Sequence, residues 1–414
     1  LAAYRKRDTG SVAQDAGVRG SQAIVRLSIG HACVDVYQGA VVALVPYFVA
    51  ERSYTYASAA GLVLAASVLS SVAQPLFGAL TDRWSMRWLV PASTLVAGTG
   101  IGLTGLGDSY TLTLLSVALA GIGVAAYHPE SARLARIVSR GSHPAMSWFS
   151  LGGNLGFAIA PPLVAAVVTY GGLRATPILV VPALVGSVLC VPVLRAVTPP
   201  RTAAGPAPVP TGTDDRRSFV RLALAVSCRS IAFVGLSTFV AIYAAQRTGG
   251  GAESGTLALG LLYAGGAVGT VLGGRLANRW GRVAVARWAY LTAAASVAGV
   301  VLVPGPAIHA FVVSTAIGLY VPFSLQVTLG QDYLPSRVGT ANGVTLGLTV
   351  SVGGLATPAI GAMADASSLQ AALAPLIAMP VLAWLLFRSL PEPAISVRPG
   401  ADEPRPTPAN HDGT

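Results

Sequence analysis

The sequence predicts an all-α polytopic membrane protein, with twelve transmembrane helices in two pseudo-symmetric six-helix bundles. Three observations carry this. The 414 residues are 53% hydrophobic and only 10% charged, with a mean hydropathy of +0.64, outside the range of soluble domains. Apolar runs of about 20 residues, the length that crosses a bilayer as a helix, recur along the whole chain. A basic loop pattern is repeated between the two halves. The short alternating segments of a β-barrel are absent.

Taken in order, residues 1–23 form a polar tail carrying Arg5, Lys6, Arg7 and Arg19. The first apolar run is too long for a signal-peptide core and lacks a small-residue cleavage pattern, so it is expected to be retained. Charged, Pro-rich and Gly-rich breaks delimit helices over 24–50, 56–80, 88–106, 110–127, 145–169 and 173–195, the N-terminal bundle of 24–197. Residues 198–217, rich in Pro and Ala and including Asp214-Asp215-Arg216-Arg217, read as a flexible cytoplasmic linker. The C-terminal bundle, 218–390, contains helices over 218–245, 255–277, 284–304, 307–329, 339–364 and 370–389. The Pro-rich polar stretch 391–414 reads as a disordered cytoplasmic tail.

The net charge of +11 comes from 27 Lys and Arg, of which Lys6 is the one lysine. In a soluble protein this would suggest nucleic-acid binding; in short loops between apolar helices it reports topology instead. One set of loops holds Arg83, Arg87, Arg133, Arg136, Arg140, Arg195 to Arg221, Arg275 to Arg287 and Arg337. The opposite set holds Arg52, Arg174 and Arg247. Both termini are therefore expected in the cytoplasm, the chain lying in the plasma (inner) membrane. Cys33, Cys190 and Cys228 sit singly in apolar runs and read as packing residues, with no disulfide or metal site implied.

Gly78 to Arg87 follows the second helix and Gly274 to Arg282 follows the eighth. Asp82-Arg83-Trp84 in the first matches Asn278-Arg279-Trp280 in the second, an offset of 196 positions from Arg83 to Arg279. Gly, Arg and Trp recurring in register at equivalent places indicate a duplication, and parallel six-helix repeats are a known transporter architecture.

Gly78-x3-Asp82-Arg83-x3-Arg87 resembles the loop signature of the major facilitator superfamily. The chain is similar more narrowly to its fosmidomycin-resistance-type branch. That likeness rests on Gln74-Pro75 through Arg83 and Trp88, on Tyr127-His128-Pro129-Glu130-Ser131 with Arg133 and Arg136, and on Gly152-Gly153-Asn154-x-Gly156 through Pro161. Leu334-Pro335-x-Arg337-x-Gly339 and Gly353-Gly354-Leu355 extend it into the second half. The resemblance implies the major facilitator fold and export of a drug or metabolite in exchange for protons, with no other cofactor. It also implies that Asp82, Arg83 and Arg87 gate the cytoplasmic side. Three departures stand out: Ser85 replaces a usual Gly, Asn278 replaces Asp beside Arg279 in the second copy, and Val117 stands where many exporters carry a coupling arginine. Only the first loop is thus expected to act as a latch, and coupling must rest elsewhere.

The first helix carries His31, Asp35 and Gln38, which share a stripe at helical spacing. An ionised carboxylate there costs roughly 2.5–3.5 kcal/mol on insertion scales, so it faces a wet cavity or a partner. At about 1.5 Å per residue, Asp35 lies roughly 16 Å into a helix starting near Ile24. The pair reads as a proton carrier, the other reading being a structural polar contact between helices.

Arg229 in the seventh helix reads as an anchor for an anionic substrate or a switchable partner of Asp35, or else as a side chain snorkelling to the cytoplasm. Glu130, at the predicted end of the fourth helix, either assists proton release or opens a short surface helix over 130–138. Tyr37, Gln38, Asn154 and Gln326 are candidates for the substrate path, an amide bonded to a nearby backbone being the alternative for the polar ones. Gly-rich and Pro-containing stretches in the fifth and eleventh helices permit close contact and rocking.

A secondary active antiporter follows, working by alternating access, with a small-molecule substrate that the resemblance makes a drug or a fosmidomycin-like anion. It would be a monomer in the lipid bilayer, with no nucleic-acid partner. Import of a small organic anion and a non-transporting receptor are the alternatives. No HExxH, GxSxG or paired catalytic carboxylates occur, so no enzyme is expected.

Overall fold

Backbone groups in hydrocarbon have to be satisfied within their own segment, so each long apolar run becomes a helix. The computed structural model describes residues 2–84, 86–139, 143–196 and 213–393, with side chains from residue 21 onward except at 82, 143, 144, 196, 338, 339 and 346–350. Among these residues there is no strand. The first half comprises α1 (Ala2–Arg52), α2 (Tyr56–Arg83), α3 (Leu89–Leu103), α4 (Tyr110–Val138), α5 (His143–Gly171) and α6 (Leu173–Arg195). The second comprises α7 (Arg216–Thr248), α8 (Gly251–Trp280), α9 (Arg282–Leu302), α10 (Ile308–Tyr333), α11 (Val338–Ala366) and α12 (Leu369–Arg388).

Several boundaries differ from expectation. The fourth helix does not stop at 127, and no separate surface helix spans 130–138: α4 runs through Pro129 to Val138. The missing proline N–H leaves one carbonyl of the preceding turn free, and the His128 ring takes the neighbouring Val124 carbonyl at 2.8 Å. The polar tail is not set apart from the first helix, since α1 is helical from Ala2. α6 opens as a 3₁₀ stretch, Leu173–Val180, around Pro177, and α12 is interrupted by another, Ala374–Ile377, beginning next to Pro375.

The linker's last residues are anchored. Asp215 caps α7 by accepting from Ser218 N at 3.0 Å. Asp214 accepts from the Ser336 hydroxyl at 2.6 Å and its N–H at 3.1 Å. Both carboxyls are held below the usual range, chiefly by the Ser336 hydroxyl at Asp214 and the Ser218 contacts at Asp215. At the other end Pro391 and Glu392 also pack, through the Tyr333 hydroxyl and through Arg282 and Val283 N. The rest of the expected linker, 198–212, and of the tail, 394–414, lies outside the described residues.

Within the first half α1 packs on α5, α6 and α4; within the second, α7 packs on α11, α8 and α12. The halves meet where α2 lies on α11, α5 on α8 and α1 on α7. Polar contacts draw this seam together at the Arg-poor face. Asp365, at the end of α11, accepts from Tyr56 N at 2.8 Å and Ala57 N at 2.9 Å at the start of α2, and Gln246 donates to the Tyr56 hydroxyl at 3.3 Å. The repeated basic loops keep their likeness in three dimensions: Arg83 lies over Trp84 and Arg279 over Trp280, each at 5.4 Å.

Candidate functional site

Each half holds a buried polar cluster that shares a helix, α1 or α7, with the wall of a central cavity. In the first half the i, i+4 spacing on α1 brings His31 Nε2 to 3.3 Å from Asp35 Oδ2. α4 completes the set, with His128 Nε2 at 3.2 Å from Asp35 Oδ1. His31 and Asp35 are buried, and the His128 side chain is about a quarter exposed. The His31 ring is stacked on Phe149 at 4.3 Å and meets the His128 ring edge-on at 5.3 Å.

The ring tautomers follow from the backbone. His31 Nδ1 lies 2.8 Å from Phe149 O and His128 Nδ1 lies 2.8 Å from Val124 O. A carbonyl oxygen only accepts, so both Nδ1 atoms carry protons, and in a neutral ring each Nε2 turns a lone pair on Asp35. An ionised Asp35 between two neutral rings would set acceptor against acceptor at both contacts. Each contact is relieved by one proton. Asp35 Oδ1 is buried, and the polar atom beside it is His128 Nε2. The donor atoms lie within 4.8 Å of one another. Each nitrogen faces a different oxygen, which suits two proton-sharing contacts better than three donors on one ion.

α5 presses on this cluster with its glycines. A Cβ on Gly153 would stand 2.5 Å from Asp35 Oδ2 and 2.9 Å from His31 Nε2, and one on Gly156 would stand 3.0 Å from Asp35 Cβ. Only a residue without a side chain lets α5 approach so near.

In the second half Arg229 on α7 is buried, donates from Nε to Gln326 Oε1 at 3.0 Å and lies over the Phe323 ring at 5.1 Å. Gln326 donates on to the Tyr290 hydroxyl at 2.5 Å. Asp35 has His31 and His128 as its close partners, and Arg229 is not among them. The structure thus brings Arg229 to Gln326 rather than to Asp35, and so pairs two residues that sequence spacing had left apart.

Tyr37 and Gln38, two and three residues beyond Asp35, line the central cavity together with residues of α2, α4, α5, α7, α8 and α10. Asn154, Gln326 and Arg229 are not among the described residues that line it. Glu130 is fully buried and held by Arg133, at 2.8 Å to Oε2 and 2.5 Å to Oε1. Arg87 donates to Leu194 O at 3.1 Å, at the end of α6; the Asp82 side chain lies outside the described residues. Asn278 precedes Arg279, whose guanidinium is engaged by Trp280.

His128 is the residue sequence reasoning passed over. It was visible as a titratable ring at the end of an apolar run, but the following proline suggested a helix end rather than a buried position.

A profile of the Major Facilitator Superfamily matches residues 27–358. The fosmidomycin resistance protein of Escherichia coli (strain K12) is 28% identical over 362 residues, covering 83% of this chain and 86% of that protein. An MFS-type transporter of Bacillus subtilis (strain 168) is 27% identical over 383 residues, covering 88% and 91%. Among solved structures, a bacterial homolog of the human lysosomal transporter Spinster, inward-facing and occupied, superposes with a TM-score of 0.75 at 17% identity, covering 89% and 96%. A nucleoside transporter superposes with a TM-score of 0.69 at 12% identity, covering 89% and 99%. With the profile spanning most of the helices and the same fold in these neighbours, the chain belongs to the Major Facilitator Superfamily of membrane transporters.

Proposed function

We propose that this chain is a proton-coupled antiporter that exports a drug or small metabolite by alternating access, with His31, Asp35 and His128 as its proton site. The observation that carries this is the buried carboxylate bracketed by two imidazoles whose tautomers are locked by Phe149 O and Val124 O. With one shared proton the cluster is neutral, one of its two contacts becomes a hydrogen bond, and it can be sealed from water. Without it, a buried charge facing two lone pairs needs solvent. Closure of the Arg-rich face over the site is therefore favoured when a proton is aboard, which ties helix movement to protonation. The Arg-rich face is taken as cytoplasmic by the excess of arginine in its loops, with both termini on that side of the plasma membrane. The seam at Asp365 is then external and shut, leaving the site to be served from inside.

The E. coli relative is named for fosmidomycin resistance, which supports export as the direction. Arg229 is the anchor available to an anionic substrate, but such a ligand has to draw the guanidinium away from Gln326 and Phe323. The same residue supports a second reading, proton-linked import of a small organic anion. Glu130 contributes to proton release only if the Arg133 clamp opens, and Arg83 and Arg87 gate the cytoplasmic side with Asp82. The protein acts as a monomer with protons as its coupling ion.

Dye-reported pH inside proteoliposomes tests the reading. Substrate-driven proton movement opposite to substrate flux supports antiport. Movement in the same direction supports import, and no movement sinks both.

A further inference from the structure

The central cavity holds about 100 Å³ and is walled by aromatic rings from both halves. Phe157 of α5 meets Tyr263 of α8 across the seam at 5.3 Å, and Phe233 of α7 meets Tyr320 of α10 at 4.8 Å and Tyr263 at 6.3 Å. No Asp, Glu, His, Lys or Arg is among the described residues lining it. The nearest buried charges are engaged elsewhere, Asp35 between two imidazoles and Arg229 on Gln326 and the Phe323 ring. A charged group entering this space would lose its water without meeting an opposite charge, the costliest kind of burial. An uncharged ring would replace water with offset and edge-on ring contacts.

Beside the Ser67, Ser70, Tyr263 and Tyr320 hydroxyls, three polar side chains at the cavity bear on this. Tyr37 donates its hydroxyl outward, to Leu179 O at 3.0 Å, and so offers the cavity only its ring. Ser237 is spent on Val234 O at 3.0 Å. Gln38 has no hydrogen-bond partner among the described residues, and its amide can both donate and accept. An engineered apolar cavity of about 150 Å³ in another protein holds benzene, so this one matches a single ring with small adjustments of its walls.

We propose that the cavity takes an uncharged, single-ring aromatic group bearing a hydrogen-bonding substituent, the ring among Phe157, Phe233, Tyr263 and Tyr320 and the substituent on Gln38. This rests on the reading of the chain as a transporter with its site between the halves, and names the substrate class of that site.

The test uses the full chain in nanodiscs and three probes sharing one ring: benzyl alcohol, phenylphosphonate and benzyltrimethylammonium. Saturable binding is read by saturation-transfer NMR. Benzyl alcohol is expected to bind most tightly, with Phe233→Ala and Tyr263→Ala each weakening it about three- to tenfold and Phe233→Tyr retaining it. Gln38→Leu is expected to weaken benzyl alcohol but not toluene. Tighter binding of phenylphosphonate, lost in Arg229→Gln, overturns the proposal in favour of an anion. Tighter binding of benzyltrimethylammonium overturns it in favour of a cation, and absence of saturable binding by all three overturns the aromatic site. Benzyl alcohol bound without proton movement in vesicles overturns the antiport reading alone. Proton antiport driven by another compound while benzyl alcohol fails to bind overturns the substrate class alone.

Discussion

Asp365 holds the seam at the Arg-poor face by joining the end of α11 to the exposed N–H groups that open α2, at 2.8 and 2.9 Å. Hydrogen bonds to a charged acceptor contribute roughly 1.5–3 kcal/mol when shielded, and a carboxylate at a helix start adds roughly 0.3–1 kcal/mol. The residue is exposed, and solvent screening reduces both contributions, so removing the carboxylate should cost the closed seam about 1–2 kcal/mol. That corresponds to an approximately 5- to 30-fold shift towards conformers open at the Arg-poor face. Asp365→Ala carries the full shift. Asp365→Asn keeps one acceptor and carries about half of it in free energy. The assay is labelling by a membrane-impermeant maleimide of Ser67→Cys, on the cavity wall beside Gly354 of α11, in a background with Cys33, Cys190 and Cys228 replaced. Faster labelling from the Arg-poor side is expected. Unchanged labelling in a folded Asp365→Ala protein would show that Asp365 does not hold the seam.

Other expectations follow from the same contacts. Gly153→Ala pushes a methyl group against Asp35 and His31, costing about 1–3 kcal/mol of stability and uncoupling protons from substrate. Gly343→Ala meets nothing within 4 Å and should leave melting temperature and coupling unchanged, which makes it the control. His128→Asn removes the second imidazole and should shift the pH at which coupled transport is half-maximal; a profile identical to the parent would remove His128 from the proton site. Gln326→Leu strips Arg229 of a buried acceptor and should lower stability by about 1–3 kcal/mol, read as a drop in thermal unfolding temperature. The Asp214 clasp on Ser336 has a carboxyl whose pKa is depressed in the fold. Its contribution is therefore present above the usual Asp range and lost as pH falls through the lower folded value. Protease nicking near residue 214 should rise only in that acid window, and Asp214→Asn should abolish the pH dependence.

The helices were legible because hydrocarbon leaves the backbone no other arrangement, and their number, order and duplication follow from hydropathy and from the two Arg-Trp loops. His31 and Asp35 were legible as a pair because four residues on a helix make neighbours. His128 was not, because its contact with Asp35 depends on how α4 lies on α1 and because Pro129 reads as an end. The partner of Arg229 could not be chosen from spacing, because Gln326 reaches it from 97 residues away on α10. Asp365 lies among small residues at a helix end and acts only through α2, 309 residues earlier. The ring-lined cavity likewise draws on helices from both halves, an arrangement set by packing rather than by any local pattern.

The measurement that tests the central claim most directly is proton flux in proteoliposomes driven by a substrate gradient, compared between the parent chain and Asp35→Asn. The amide cannot exchange a proton with either imidazole. The account predicts that Asp35→Asn still lets substrate run down its own gradient but moves no protons and supports no uphill transport. Full substrate-driven proton flux in that variant would contradict the assignment of coupling to the His31, Asp35 and His128 cluster.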